Sequence, residues 1–406
     1  MQFSVDFPTV LLILGAIQGY YLSALLYFKH RNQFANRFLA FLILVYTIFV
    51  TGAVFSNLQI YDKFPHLMVL IGALPLIFGP LHYLYAKYLI APNLNFKNIQ
   101  WLHFLPFTIY KLYTIPAYFM SSDTLIEYVK IMQNYQEISV FTIVNWFLVL
   151  QGITYMILTI RLVQKYSLQM RDTFSSLEKI NLRWLRNITV LATIVWFIVF
   201  IEILYLTIYT EKPLEFNLIG IATSIYIYTL GYIGLLKSEI FSQKYVTHSL
   251  SHMMDTRENL LPESGTATLR SEREFDKTKD KKYTKSGLSD DKAKEYLARL
   301  QSLMEKEKPY LKSNLTLHQL AEELSISPHN LSEIINKFLN KNFFDYVNYF
   351  RIEEVKQILQ DPNKQILTLL SIAYDAGFNS KSGFNAIFKR SMKLTPSEYR
   401  EKISKA

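Results

Sequence analysis

The sequence predicts an all-α chain in three parts. Residues 1–240 read as an N-terminal seven-transmembrane-helix bundle, 241–288 as a polar flexible linker, and 289–406 as a C-terminal domain of two helix-turn-helix units. Three observations carry this. The first part holds seven apolar stretches close to the ~20 residues needed to cross hydrocarbon. From about Lys244 to Gly287 the composition turns polar and mixed in charge, with too little apolar surface to offset the entropy of ordering. After Ser289 apolar residues recur at helical spacing, and one pattern of cap, helix, turn and helix occurs twice.

Composition agrees. A length of 406 residues suggests two or three domains as a prior. Half the residues are apolar and 15% aromatic, with a net charge of +10 and a mean hydropathy of +0.13. That combination suits membrane spans joined to a basic tail. The absence of cysteine excludes disulfides and thiolate metal sites.

The spans fall at about 7–28, 37–59, 67–90, 99–120, 139–162, 184–209 and 216–238. No basic residue precedes the first and no small-residue cleavage site follows it before Lys29, so it reads as a span and not a leader. Cations set the orientation. Lys29, Arg31, Arg37, Lys87, Lys97, Arg161, Lys165, Arg171, Lys179, Arg183 and Arg186 follow spans one, three and five, against Lys63, Lys130 and Lys212 on the other side. The N-terminus is expected outside and the tail in the cytoplasm.

Pro75, Gly79 and Pro80 in span three and Pro106 and Pro116 in span four predict bends. Lys111 and Glu202 lie at nearly matched depths of spans four and six. A charge there is costly and generally finds a partner. The two either pair, line an outward-facing ligand pocket, or snorkel separately. His82 and His103 are expected to hydrogen-bond locally. His248 and His252, four apart in the linker, lack the third ligand a metal site needs.

In the tail, Ser289 caps a helix carrying Ala293, Tyr296, Leu297, Leu300, Leu303 and Met304, which stops near Pro309. The first helix-turn-helix unit spans about 316–339. Thr316 is its cap, and Ser327-Pro328 starts a second helix with Leu331, Ile334, Ile335 and Phe338 inward. A linking helix follows at 343–360. The second unit spans about 368–392. Thr368 caps a helix with Leu369, Ile372, Ala373 and Ala376 on one face, Gly377 ends it, and Ser380 caps the next, with Phe384, Ile387 and Phe388 inward. Thr395-Pro396-Ser397-Glu398 is a capping box that starts a last short helix. Two such units on a rigid helix can enter successive major-groove segments roughly 34 Å apart.

The outer faces of the second helices then offer groups for double-stranded DNA. His329, Asn330, Ser332, Lys381, Ser382 and Asn385 are placed for base edges. Thr316, Lys337, Ser380, Lys389, Arg390 and Lys393 are placed for phosphates, which position without specifying. The chain has no HExxH, GxSxG, GxxxxGKS/T or GxGxxG motif and no kinase set, so neither an enzyme nor a cofactor is indicated.

The strings LAEELSISPHNLS, FFDYVNYFRIEEVKQIL, IAYDAGFNSKSGFNAIFKR and LTPSEYR run in order through the tail. From about Ser289 to Arg400 the chain resembles the DNA-binding domain of AraC/XylS-type transcription regulators. The resemblance implies two helix-turn-helix subdomains joined by the central helix. It places base reading on His329, Ser332, Glu333, Lys381, Ser382, Gly383 and Ala386. It also implies a bacterial cytoplasmic membrane and, commonly, activation by dimers on repeated half-sites. The chain departs from the pattern where Ser325, Asn340 and Lys393 replace turn glycines, and where Glu333, Gly383 and Ala386 replace longer polar readers.

These readings combine into a membrane-embedded one-component transcription regulator. A small-molecule or envelope signal acts on the bundle in the lipid bilayer, and the linker transmits, tethers or is cut. The alternative is a receptor or transporter-like protein whose tail binds a protein partner.

Overall fold

The computed structural model describes residues 6–29, 33–91, 98–134, 140–177, 182–208, 218–237, 289–364 and 366–404. The expected linker, with His248 and His252, lies outside the described residues. The described residues are helical throughout, apart from turns and one isolated antiparallel bridge between Phe174 and Thr316. They form two compact units: Met1–Lys165 with Leu182–Arg257, and Tyr166–Asn181 with Glu258–Ala406.

The first unit contains α1 (Phe7–Tyr27), α2 (Gln33–Asn57), α3 (His66–Gly72), α4 (Pro75–Ile90), α5 (Leu105–Tyr113), α6 (Ser122–Asn134), most of α7 (Val140–Thr173), α8 (Arg183–Ile208) and α9 (Leu218–Lys237). The Asp6 side chain accepts from the Thr9 amide at 3.0 Å and caps α1. Among the described residues, six helical stretches are long and apolar enough to cross a membrane: Phe7–Tyr27, Ala35–Asn57, His66–Ile90, Thr142–Thr173, Arg183–Ile208 and Leu218–Leu236. The expected fourth span, 99–120, is not among them. It is broken into a 3-10 helix (Asn98–Phe104), α5, and a second 3-10 helix (Ile115–Phe119). Pro106 and Pro116 each stand near the start of a new segment, where a missing N–H costs nothing. Pro75 likewise opens α4 and separates it from α3, whereas Pro80 lies inside α4.

α1, α2, α4 and α9 form the packed centre, with α8 against α9. Gly152 lets α7 meet α8 closely, since a Cβ there would fall 2.4 Å from the Trp196 ring. His82 is fully buried and hydrogen-bonds through Nδ1 with the Tyr226 hydroxyl (2.9 Å) and through Nε2 with Thr189 (3.3 Å). His103 bonds Tyr155 at 2.8 Å. Both histidines are therefore held locally. α7 runs 34 residues, eleven beyond its expected end, and its last turns belong to the second unit.

The rest of the second unit is α10 (Asp290–Lys306), α11 (Leu317–Glu323), α12 (Pro328–Leu339), α13 (Phe343–Gln360), α14 (Leu369–Asp375), α15 (Lys381–Met392) and α16 (Pro396–Ser404). It has two apolar cores. One gathers Leu300, Met304, Leu317, Leu320, Leu331 and Ile335; the other gathers Ile372, Ala373, Phe378, Phe384 and Phe388. α13 serves both. Phe343, Tyr346 and Val347 enter the first core, and Ile352, Val355 and Ile358 the second.

Candidate nucleic-acid interface

Each short helix of the second unit starts at a side-chain cap, which satisfies an amide left free by the first turn. Thr316 accepts from the Gln319 amide (3.3 Å), and Gln319 returns the bond to the Thr316 amide (2.9 Å). Ser327, Thr368 and Ser380 each accept at 3.1 Å, from Asn330, Ser371 and Gly383. Thr395 and Glu398 form the reciprocal box that opens α16.

The two turns between paired helices use the same bonds. In the first, Ser325 N donates to Glu322 O (2.9 Å) and Ile326 N to Ala321 O (3.0 Å). In the second, Gly377 N donates to Tyr374 O and Phe378 N to Ala373 O, both at 2.9 Å. Ser325 has φ 56° and Gly377 φ 88°. The serine therefore occupies the left-handed well that a turn glycine would use. Asn340 (φ 48°) and Lys393 (φ 60°) end the second helices in the same way. A Cβ at Gly377 would meet Tyr310 O at 2.5 Å and Leu311 O at 2.8 Å, so packing and φ both require glycine there.

On α15, Lys381, Ser382, Asn385 and Ala386 are exposed along one outer face, with Lys389 and Arg390 further on. The Ser380 and Ser382 hydroxyls are 3.1 Å apart. On α12, His329 is exposed, while Asn330 and Ser332 are half-buried, and Asn336 donates to the Ser332 hydroxyl at 3.2 Å. Glu333, which the resemblance aligns with the readers, lies one turn after His329 and is 4% exposed. Among the phosphate candidates, Lys337 pairs with Asp290 (3.1 Å) and Arg390 with Asp345. Exposed pairs of this kind contribute little. Thr316 and Ser380 spend their hydroxyls as caps, and Lys393 is exposed at the end of α15.

Sequence reasoning missed the centre of this unit. Arg351, on α13 where the two cores divide, is 1% exposed. Its Nε donates to Tyr310 O (2.8 Å) and its Nη2 to Lys312 O (2.9 Å). The available signal was a cation set between Phe350 and Ile352 in an otherwise amphipathic helix. Nearby, Lys308 and the Tyr310 hydroxyl both donate to the Glu354 carboxylate at 2.8 Å. Burial opposes ionisation, but these two bonds win and hold that carboxyl below its ordinary range.

In the first unit, Lys111 and Glu202 do not pair. Lys111 donates to Val69 O and Leu70 O (2.9 Å each) and to the Tyr118 hydroxyl (3.1 Å), which uses all three ammonium protons at the C-terminal end of α3. Glu202 keeps its Oε2 buried with no hydrogen-bond partner. Beside Lys111 lies a cavity of about 200 Å³, lined by Met68, Val69, Tyr110, Tyr113, Tyr128 and Asn145 among others. No cluster of three metal-ligating side chains occurs among the described residues.

Comparison with known proteins bears on the second unit. Residues 320–402 match the model of a family described as a helix-turn-helix domain. The uncharacterised HTH-type transcriptional regulator YpdC of Escherichia coli strain K12 is 32% identical over 85 residues, 21% of this chain and 29% of that protein. The melibiose operon regulatory protein of the same strain is 30% identical over 87 residues, 21% of this chain and 28% of that protein. The regulatory protein PocR of Salmonella typhimurium is 28% identical over 95 residues, 23% and 30% of the two chains. The chain thus spans less than a third of the length of these relatives. No solved structure matches. The C-terminal region of this chain is a helix-turn-helix domain similar to those of transcription regulators, in agreement with the AraC/XylS resemblance of its motifs.

Proposed function

We infer that this chain is a membrane-embedded one-component transcription regulator, with its N-terminus outside a bacterial cytoplasmic membrane and its tail in the cytoplasm. It binds promoter DNA sequence-specifically through α12 and α15. The observation that carries this reading is the pair of helix-turn-helix units sharing α13, each presenting an exposed polar face on its second helix. His329, Asn330, Ser332, Lys381, Ser382 and Asn385 read bases. Lys337, Lys389, Arg390 and Lys393 hold phosphates with the N-termini capped by Thr316 and Ser380.

The signal acts on the first unit. Its cavity is lined by the apolar Met68 and Val69 together with Tyr110, Tyr113, Tyr128 and Asn145, which suits a small amphipathic molecule bearing one or two hydrogen-bonding groups. Lys111, tied to α3, and Glu202, with an unpartnered oxygen, stay candidates for the sensing apparatus as separate groups.

Genome-wide occupancy of the intact chain in its own cells tests the function. Sharp, reproducible peaks upstream of genes are expected. A flat profile from correctly inserted protein would instead favour a tail that binds a protein partner.

A further inference from the structure

α7 does not stop where its apolar stretch stops. At 1.5 Å per residue its 34 residues extend about 51 Å, against about 30 Å of hydrocarbon. It belongs to the first unit as far as Lys165 and to the second from Tyr166. Tyr166, Met170 and Phe174, spaced by four, are all buried. Phe174, Ser175 and Ser176 then follow as a short non-helical segment.

This segment lies where the two helix-turn-helix units meet. Toward the first helix-turn-helix, Phe174 forms the bridge to Thr316, and the Ser175 amide donates to Leu315 O at 3.1 Å. Toward α13, Ser175 O accepts from Asn348 (3.0 Å) and from Arg351 Nη1 (3.1 Å), while the Ser175 hydroxyl accepts from Arg351 Nη2 (3.1 Å). Toward the second helix-turn-helix, the Ser176 hydroxyl accepts from Asn379 at 2.9 Å. Asn379 stands directly before the cap of α15 and also donates to Asn314 (3.0 Å). Ser175, Asn348 and Arg351 are each 2% exposed or less. Three consecutive residues thus touch both reader units and the helix between them.

We propose that the cleft between the two helix-turn-helix units is the docking site for the chain's own segment Phe174–Ser176, and that the seated segment braces the two reader helices at one spacing for DNA. The inference rests on the reading of α12 and α15 as DNA readers. Two linked readers engage one duplex with high effective concentration only if their geometry allows both to seat at once. The brace reduces their relative freedom by holding Leu315 and Thr316 on one side and Asn379 on the other. It leaves each reader's own base contacts unchanged.

The full-length chain in native membranes provides the test. It has no cysteine, so Ser176→Cys with Asn379→Cys supplies the sole thiol pair, to be bridged by a short reductant-cleavable bis-methanethiosulfonate. Bridging in most molecules is expected, and occupancy of the wild-type DNA peaks should stay at the wild-type level. Ser175→Pro removes the amide that Leu315 accepts and the hydroxyl that Arg351 binds. It should lower peak occupancy by about tenfold with background binding unchanged. Little bridging, lost occupancy on bridging, or unchanged or raised occupancy in Ser175→Pro each overturn the brace. If the wild-type chain shows no peaks, the DNA reading and the brace both fall, and the bridging yield alone then reports whether the segment docks.

Discussion

The two helix-turn-helix units share a backbone plan and differ in what surrounds it. Both turns place a residue at positive φ with matching hydrogen bonds. At Ser325 the side chain points to solvent, and a serine suffices. At Gly377 the carbonyls of Tyr310 and Leu311 press on the position from the other unit, and no side chain fits. The glycine is required by the neighbour it meets as much as by its torsion. The second helices differ as well. α15 offers Lys381, Lys389 and Arg390 outward, whereas α12 offers His329 and a single lysine, Lys337, and buries Glu333. The second unit is therefore equipped to supply more of the affinity, with the first adding selectivity.

The strongest way to break the comparison is to remove what the units share. Arg351→Met leaves the Tyr310 and Lys312 carbonyls without their donor and should destabilise both helix-turn-helix units together by about 3–5 kcal/mol. Hydrogen exchange of α13 in the membrane-reconstituted chain would show it as lost protection on both sides of residue 351. Next, Gly377→Ala should cost about 2–3 kcal/mol, while Ser325→Ala at the equivalent turn should fall within about 0.5 kcal/mol of wild type. A Gly377→Ala cost of only about 1 kcal/mol in the same exchange measurement would mean that torsion alone, and not the neighbouring carbonyls, sets the requirement.

Smaller effects sharpen the difference between readers. Lys381→Ala should lose about 1–2 kcal/mol of discrimination at one base pair. Lys389→Ala should instead weaken all duplexes alike and flatten the salt dependence by about one counterion. Binding titrations on a selected site and on random duplex, at several salt concentrations, separate the two roles. Last, Ser325→Gly should stabilise the first unit by about 0.5–1 kcal/mol, because the residue already sits in a left-handed well.

Much of the second unit was legible in the sequence because its signals are local. Thr316, Ser327, Thr368 and Ser380 announce helix starts through chemistry confined to one turn, and Leu331, Ile335, Phe384 and Phe388 mark the buried faces by spacing alone. What escaped depends on distant partners. The depths of Lys111 and Glu202 said nothing about azimuth, and Lys111 turned out to cap α3. The burial of Glu333, 4% exposed, depends on neighbours that its place one turn after His329 did not reveal. The prolines of 99–120 predicted bends, but the extent of the break depended on packing. The end of α7 was set too early because its polar, basic final turns read as a loop, although their buried face meets residues far along the chain.

The contacts of Ser175 also impose an order on biogenesis. Its carbonyl and the Asn348 amide that binds it are 173 residues apart in sequence. At the roughly 5–20 residues per second of translation, the serine emerges about 10–35 s before its partner. Through that interval α7 is complete and the cleft does not yet exist. The last part of the chain to be synthesised must therefore close around an element already in place. A tail expressed without the earlier residues would fold around a vacancy at its own centre.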